Sequence, residues 1–175
     1  VPAAVANGES WRLISAAFLH GGILHLLFNM YALYWLGPQL EKLLGHVRFA
    51  SVYLIAAFGG NVASYFFSNL ATVSVGASGA IFGLMTATIV IGRELRADVS
   101  QLMTLLVLNV VIGFASAGID WRAHLGGAIV GAVAGYLQTH GHKATRTLGM
   151  VAIFAGLVVL VMIRNQQVLN ALIGQ

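Results

Sequence analysis

The stretch Ser74-SVGASGAIFGL-Leu84 decides how this chain is read. It is apolar enough to lie in a membrane, yet it carries a serine set among Gly76, Ala77 and Gly79, where other backbone can come close. Two readings compete. Small residues are common where membrane helices touch, and the serine can bond to its own helix. Alternatively, an accessible hydroxyl in a dry setting is a nucleophile waiting for a base.

The surroundings favour a membrane. Of the 175 residues, 59% are hydrophobic and only 8% are charged, against about 25% charged in a soluble domain. So few charges do not cover a water-facing surface, and the chain reads as one polytopic helix bundle. With no cysteine, a disulfide framework and cysteine-ligated zinc are excluded. The net charge of +4 is scattered at segment ends rather than gathered in one patch, which argues against a nucleic-acid partner. The chain starts at Val1 and shows no signal-peptide pattern, so it reads as a fragment of a longer protein.

Six apolar segments are predicted, at 22–38, 47–69, 78–92, 102–117, 123–139 and 147–164. In lipid they must be helices, because each backbone polar group needs an internal partner. Residues 1–21 read as an outer loop, 22–139 as the core helices and 147–164 as an additional C-terminal helix, all within a single membrane domain 1–175. Several segments fall short of the ~20 residues of a standard span. The third is one of them, and Ser78 stands at its start. Lys42, Arg48, Arg93, Arg96, Lys143 and Arg146 occupy alternate connections, whereas Arg12, Arg122 and Arg164 occupy the others. That bias puts the first group in the cytoplasm and Ser78 near the outer face. Trp11-Arg12, after a loop-like "VPAAVANGES", fits an interfacial anchor.

Two further elements share the depth of Ser78. In "WRAHLGGAIVGAVAGY", His124 shares a helix face with Gly127, Gly131 and Gly135. An ionisable residue in a membrane segment is costly and marks function by default, although interhelical hydrogen bonding is the alternative. In "HLLFN", His25 and Asn29 are one turn apart and both donate hydrogen bonds without carrying charge. Such a pair suits an oxyanion or, alternatively, acts as polar glue between helices. His20 lies on another face and reads as loop structure. Imidazole is the obvious base for a serine hydroxyl. Asp120 reads as a helix-start residue, leaving a Ser–His dyad rather than a triad.

Taken together, Trp11-Arg12, "HGGILHLLFN", "EKLLG" at Glu41–Gly45, "GASGAIFG" and "AHLGG" resemble the rhomboid family of intramembrane serine proteases, in the family's order over most of the chain. The resemblance implies Ser78 as nucleophile and His124 as general base. It implies an oxyanion hole of His25, Asn29 and the Ser78 backbone N–H, with Gly76 beside it. It places Phe82 where the family packs an aromatic ring on the catalytic histidine, and gives Trp11-Arg12 and Glu41-x-x-x-Gly45 structural roles. It implies an endopeptidase whose substrates are single-pass or other transmembrane proteins of the lipid bilayer, cut without metal or organic cofactor, with the plasma membrane as location. The family's first helix precedes the large outer loop and is expected to be missing here. The alternatives are a catalytically inactive relative that binds transmembrane clients and a small transporter, although the inverted repeats common in transporters are not seen.

Overall fold

A computed structural model of the chain describes residues 2–69, 72–116 and 118–173. Every regular element among them is helical. Two short helices, α1 (Pro2–Ala6) and α2 (Arg12–Ser15, running into a 3-10 turn at Ala16–Phe18), precede six longer ones. These are α3 (Ile23–Leu44), α4 (His46–Phe67), α5 (Ser78–Glu94), α6 (Ser100–Ala115), α7 (Trp121–Thr139) and α8 (Lys143–Ile173).

Each predicted apolar segment falls on one of α3 to α8; Ala117, the expected end of the fourth, lies outside the described residues. By length and composition, α4 and residues 143–172 of α8 are each sufficient to cross a bilayer. Arg12–Phe18 and α3 qualify as a pair bent by 88°. These apolar helices mark an integral membrane protein. At 17 residues, α5 is about 25 Å long, shorter than the ~30 Å hydrocarbon core.

Three boundaries differ from the sequence expectation. "VPAAVANGES" is not loop throughout: Pro2–Ala6 is helical and Val5 is completely buried. Contact with α8 holds this turn in place, since so short a helix is not stable alone. The first long helix continues through Pro38 to Leu44. It ends where Gly45, at φ 79°, turns the chain directly into α4, with its N–H bonded to the Glu41 carbonyl at 2.7 Å. A positive φ is the conformation glycine adopts at little cost, so Glu41-x-x-x-Gly45 forms a helix end as expected. The last helix runs past 164 to Ile173. Its polar stretch is held to α4: Arg164 Nε donates to the Tyr65 carbonyl at 3.2 Å, Arg164 Nη2 to the Ser68 carbonyl at 2.9 Å, and Tyr65 Oη to Asn165 Oδ1 at 2.7 Å.

The core is the trio α4, α5 and α7, packed through small residues. On α7, Gly127, Gly131 and Gly135 face Gly79, Gly83 and Ala87 of α5. A methyl on Gly127 would land on the Gly79 carbonyl, one on Gly131 would overlap the Gly83 backbone, and one on Gly135 would lie 2.7 Å from Ala87 Cα. On the other side of α7, a methyl on Gly60 of α4 would lie 2.6 Å from the Ala123 carbonyl oxygen. In lipid, with no hydrophobic drive between helices, close backbone packing of this kind supplies much of the attraction. α6 is packed far more loosely, with Leu102 and Gly113 its only buried residues. It starts beside Asp98, whose carboxyl is held below the usual carboxylate range by the N–H of Ser100 at 2.9 Å.

Candidate active site

The ladder of small residues fixes the site. Ser78 is the first residue of α5, directly before Gly79, and His124 lies one turn before Gly127 on α7. Backbone contact between Gly79 and Gly127 therefore brings the two side chains together, with His124 Nε2 2.9 Å from Ser78 Oγ. With its proton on Nδ1, the neutral ring accepts the serine O–H. Phe82, one turn beyond Ser78, stacks on the imidazole with ring centroids 4.2 Å apart and planes 15° apart. His124 Nδ1 is buried with no hydrogen-bond partner. The ring is thus oriented by stacking and by its bond to Ser78 rather than by a carboxylate. Asp120 caps α7 instead: Oδ1 accepts from the Arg122 N–H at 3.2 Å, and Oδ2 accepts a hydrogen bond from Ser64 of α4.

His25 and Asn29 stand across from the pair on α3. His25 Nδ1 accepts from the Gly21 N–H at 3.4 Å. In the neutral ring that assigns the proton to Nε2. This is the nitrogen that faces Gly76: a methyl there would lie 2.7 Å from it and 3.7 Å from Asn29 Nδ2. Gly76 has φ 126°, so glycine meets two requirements here, conformation and space. Asn29 is buried, and Nδ2 donates one hydrogen to the His25 carbonyl at 3.0 Å, leaving its second N–H available. His20 packs edge-on against His25, with centroids 5.2 Å apart.

The turn before Ser78 is tied to the segment that precedes α3. The Gly76 N–H donates to the Ala16 carbonyl at 2.9 Å, and buried Asn61 of α4 donates to the Leu13 carbonyl at 2.8 Å. Neither Asn61 nor Ser64 stands out in the sequence, because a polar residue in an apolar segment does not reveal which distant group it meets.

Two cavities meet at Ser78 and His124. One, of about 400 Å³, is lined by His25, Val73–Gly76, Gly118–Asp120 and Ala123, at the loop end of the bundle. The other, of about 490 Å³, lies between α3, α5 and α6, and its walls include Phe28, Tyr31, Trp35 and Met85. Both are lined mainly by apolar surface; the first also carries His25, Ser74 and Asp120, the second Asn29 and Asn109.

This defines an integral membrane helix bundle with a serine and a histidine paired where two cavities meet. The particular family follows from comparison with known proteins: residues 7–141 match the Rhomboid domain, and the chain belongs to the rhomboid family. It is 40% identical over 141 residues to the putative rhomboid protease YdcA of Bacillus subtilis (strain 168), covering 76% of this chain and 69% of that protein. It is 39% identical over 132 residues to the rhomboid protease GluP of the same organism, covering 73% of this chain but 26% of GluP. It is 38% identical over 139 residues to RHOMBOID-like protein 4 of Arabidopsis thaliana, covering 76% of this chain and 35% of that protein. The chain thus spans about a quarter of GluP and a third of the Arabidopsis protein.

Proposed function

We propose that this protein is an intramembrane serine endopeptidase that cleaves transmembrane segments of other membrane proteins. The observation that carries the proposal is the 2.9 Å approach of Ser78 Oγ to His124 Nε2 under the Phe82 ring. It supplies a nucleophile and a base within hydrogen-bond reach.

In the proposed reaction Ser78 Oγ attacks the scissile carbonyl carbon while His124 Nε2 takes its proton. Negative charge gathers on the carbonyl oxygen, which receives hydrogen bonds from His25 Nε2–H, the free Asn29 N–H and the Ser78 backbone N–H. When the tetrahedral species collapses, the C–N bond breaks and His124 returns the proton to the leaving amine. Water then enters by the loop-end cavity and attacks the acyl carbon while His124 takes its proton; the C–Oγ bond breaks, and His124 returns that proton to Ser78 Oγ as the carboxylic acid leaves. An unwound stretch of a substrate helix fits the apolar cavity between α3, α5 and α6, because its neighbours there replace lipid. The glycine-lined surroundings of Ser78 favour small residues at the cut.

We read α3 to α8 as six membrane helices in one domain, with the site near the outer face of the plasma membrane. Lys and Arg cluster at the opposite ends of the helices. Purified wild-type protein should cut a transmembrane substrate and take up a fluorophosphonate on Ser78, whereas Ser78→Ala and His124→Ala should each do neither. The double variant should be no worse than either single, since the pair acts as a unit. Robust cleavage by purified Ser78→Ala would disprove the reading. Client binding without cleavage by the wild type would favour the inactive relative.

A further inference from the structure

The end of the bundle far from Ser78 holds a second built feature. α4 begins there, α7 ends and α8 begins, and the three enclose a cavity of about 740 Å³. Arg48, Lys143 and Arg146 line it, with Ser51, Thr147 and Gln138 between them. No acidic side chain lines it, and among the described residues none of the three cations is ion-paired with a carboxylate. Gln138 is 5% exposed, and its buried amide oxygen finds no hydrogen-bond donor. The first turn of α8 adds the partial positive charge of a helix N-terminus.

This basic cavity does not stand alone. Ser51, Thr147 and Met150 also line a second cavity of about 370 Å³ that continues along the cleft between α4 and α8. Its walls there are apolar, formed by Leu54, Ile55, Phe58, Val151 and Phe154. From Ser51 to Phe58 along α4 it extends for about 10 Å. A cationic mouth at the bilayer surface opening into an apolar slot at hydrocarbon depth matches one kind of molecule, with a negative head and an aliphatic tail.

We propose that this continuous site binds one anionic phospholipid of the surrounding leaflet, such as phosphatidylglycerol. The phosphate lies among Arg48, Lys143 and Arg146, and an acyl chain lies in the α4–α8 cleft. A headgroup hydroxyl can donate to the Gln138 amide oxygen, which the protein leaves without a donor. A free inorganic anion would use the mouth but gain nothing from the slot. The site joins α8 to the α4–α7 core at the end opposite the Arg164 clamp, so an occupied site holds α8 at both ends. None of this depends on the protease reading.

The test uses the full chain in detergent, with bound lipid counted by native mass spectrometry and melting temperature followed as lipid is added. Phosphatidylglycerol should be retained and should raise the melting temperature, while phosphatidylcholine should do neither. Each single change, Arg48→Gln, Lys143→Gln or Arg146→Gln, should weaken phosphatidylglycerol binding about 5-fold, and the triple change about 100-fold. Because Arg48 and Lys143 are exposed, their single variants should fold even if the triple variant does not. Met150→Trp, which fills the slot and leaves the charges, should weaken the same lipid. Equal retention of the two lipids, or unchanged binding by all three single variants, would overturn the proposal. So would inorganic phosphate raising the melting temperature as much as phosphatidylglycerol, which would make the site one for free anions.

Discussion

Gly127→Ala offers a test of whether backbone contact sets the distance within the proposed Ser78–His124 dyad. The added methyl carbon would lie 2.6 Å from the carbonyl carbon of Gly79 and 2.9 Å from its Cα. Carbon atoms settle at about 3.5–4.0 Å, so α5 and α7 must part by about 1 Å at this step. The obstacle is backbone on a helix, with no rotamer that can swing aside. Ser78 adjoins Gly79, and His124 is one turn from Gly127. The same displacement takes their 2.9 Å contact to about 3.9 Å, beyond hydrogen-bond range. A misplacement of about 1 Å costs on the order of 100-fold in rate, and overpacking costs about 1–3 kcal/mol in stability. Gly156→Ala is the control: it lies on the exposed face of α8 with nothing within 4 Å of the new carbon, and should stabilise by about 0.5–1 kcal/mol. The assays are steady-state cleavage in proteoliposomes, fluorophosphonate labelling and thermal unfolding of each variant. Wild-type kcat and labelling in Gly127→Ala would refute the claim that the ladder positions the pair. Lost stability at wild-type kcat would reduce it to packing alone.

Removing one of the proposed oxyanion donors, by Asn29→Ala or His25→Ala, should lower kcat roughly 10- to 1,000-fold with little change in KM; a fall in melting temperature at unchanged kcat would mean that these residues only join helices. Gly76→Ala forces a non-glycine residue to φ 126° and sets a methyl 2.7 Å from His25 Nε2, so cleavage should fall at least as far as in His25→Ala, and wild-type turnover would contradict the placement of His25. Cysteine at Val73, which is 65% exposed, should react with an impermeant thiol reagent in intact cells while cysteine at Ala97 should not, and the reverse would invert the proposed topology. Arg164→Ala removes two hydrogen bonds to the carbonyls of Tyr65 and Ser68 and should lower the melting temperature by a net cost of roughly 1–3 kcal/mol without altering kcat.

What could be read from the sequence divides along physical lines. Helix positions were legible where composition controls them, as in α4, which lies within two residues of its expected limits. Ser78, His124, His25 and Asn29 could be grouped because charge bias and segment order put them at one depth. The Gly127–Gly131–Gly135 ladder was visible as a face, but its partner face of Gly79, Gly83 and Ala87 was not, since a four-residue period does not say which helix it meets. The errors occurred where tertiary contact outweighs local preference. Pro2–Ala6 looked like loop because nothing in five residues announces that Val5 will be buried. The first apolar segment is expected to end at 38, yet the helix passes through Pro38 to Leu44. The last segment is expected to end at 164, and the bonds that retain the stretch beyond it cross from Arg164 and Asn165 to Tyr65 and Ser68, about a hundred residues away in sequence.

The junction of the two cavities at Ser78 has a practical consequence for inhibiting the proposed protease activity. A water-soluble electrophile arriving by the loop end would reach Ser78 through the smaller cavity, whereas the one between α3, α5 and α6 offers more apolar surface to hold it. A reagent that first dissolves in the bilayer is concentrated there before it meets the protein and can enter between α3 and α6. The most potent inhibitors should therefore be amphiphiles, with an aliphatic or aromatic body of modest size and a compact reactive head. Their measured potency should depend on the amount of lipid in the assay as well as on their concentration in water. Two laboratories using the same compound in different amounts of detergent would then report different values for the same intrinsic affinity, and should express dose as moles of compound per mole of lipid.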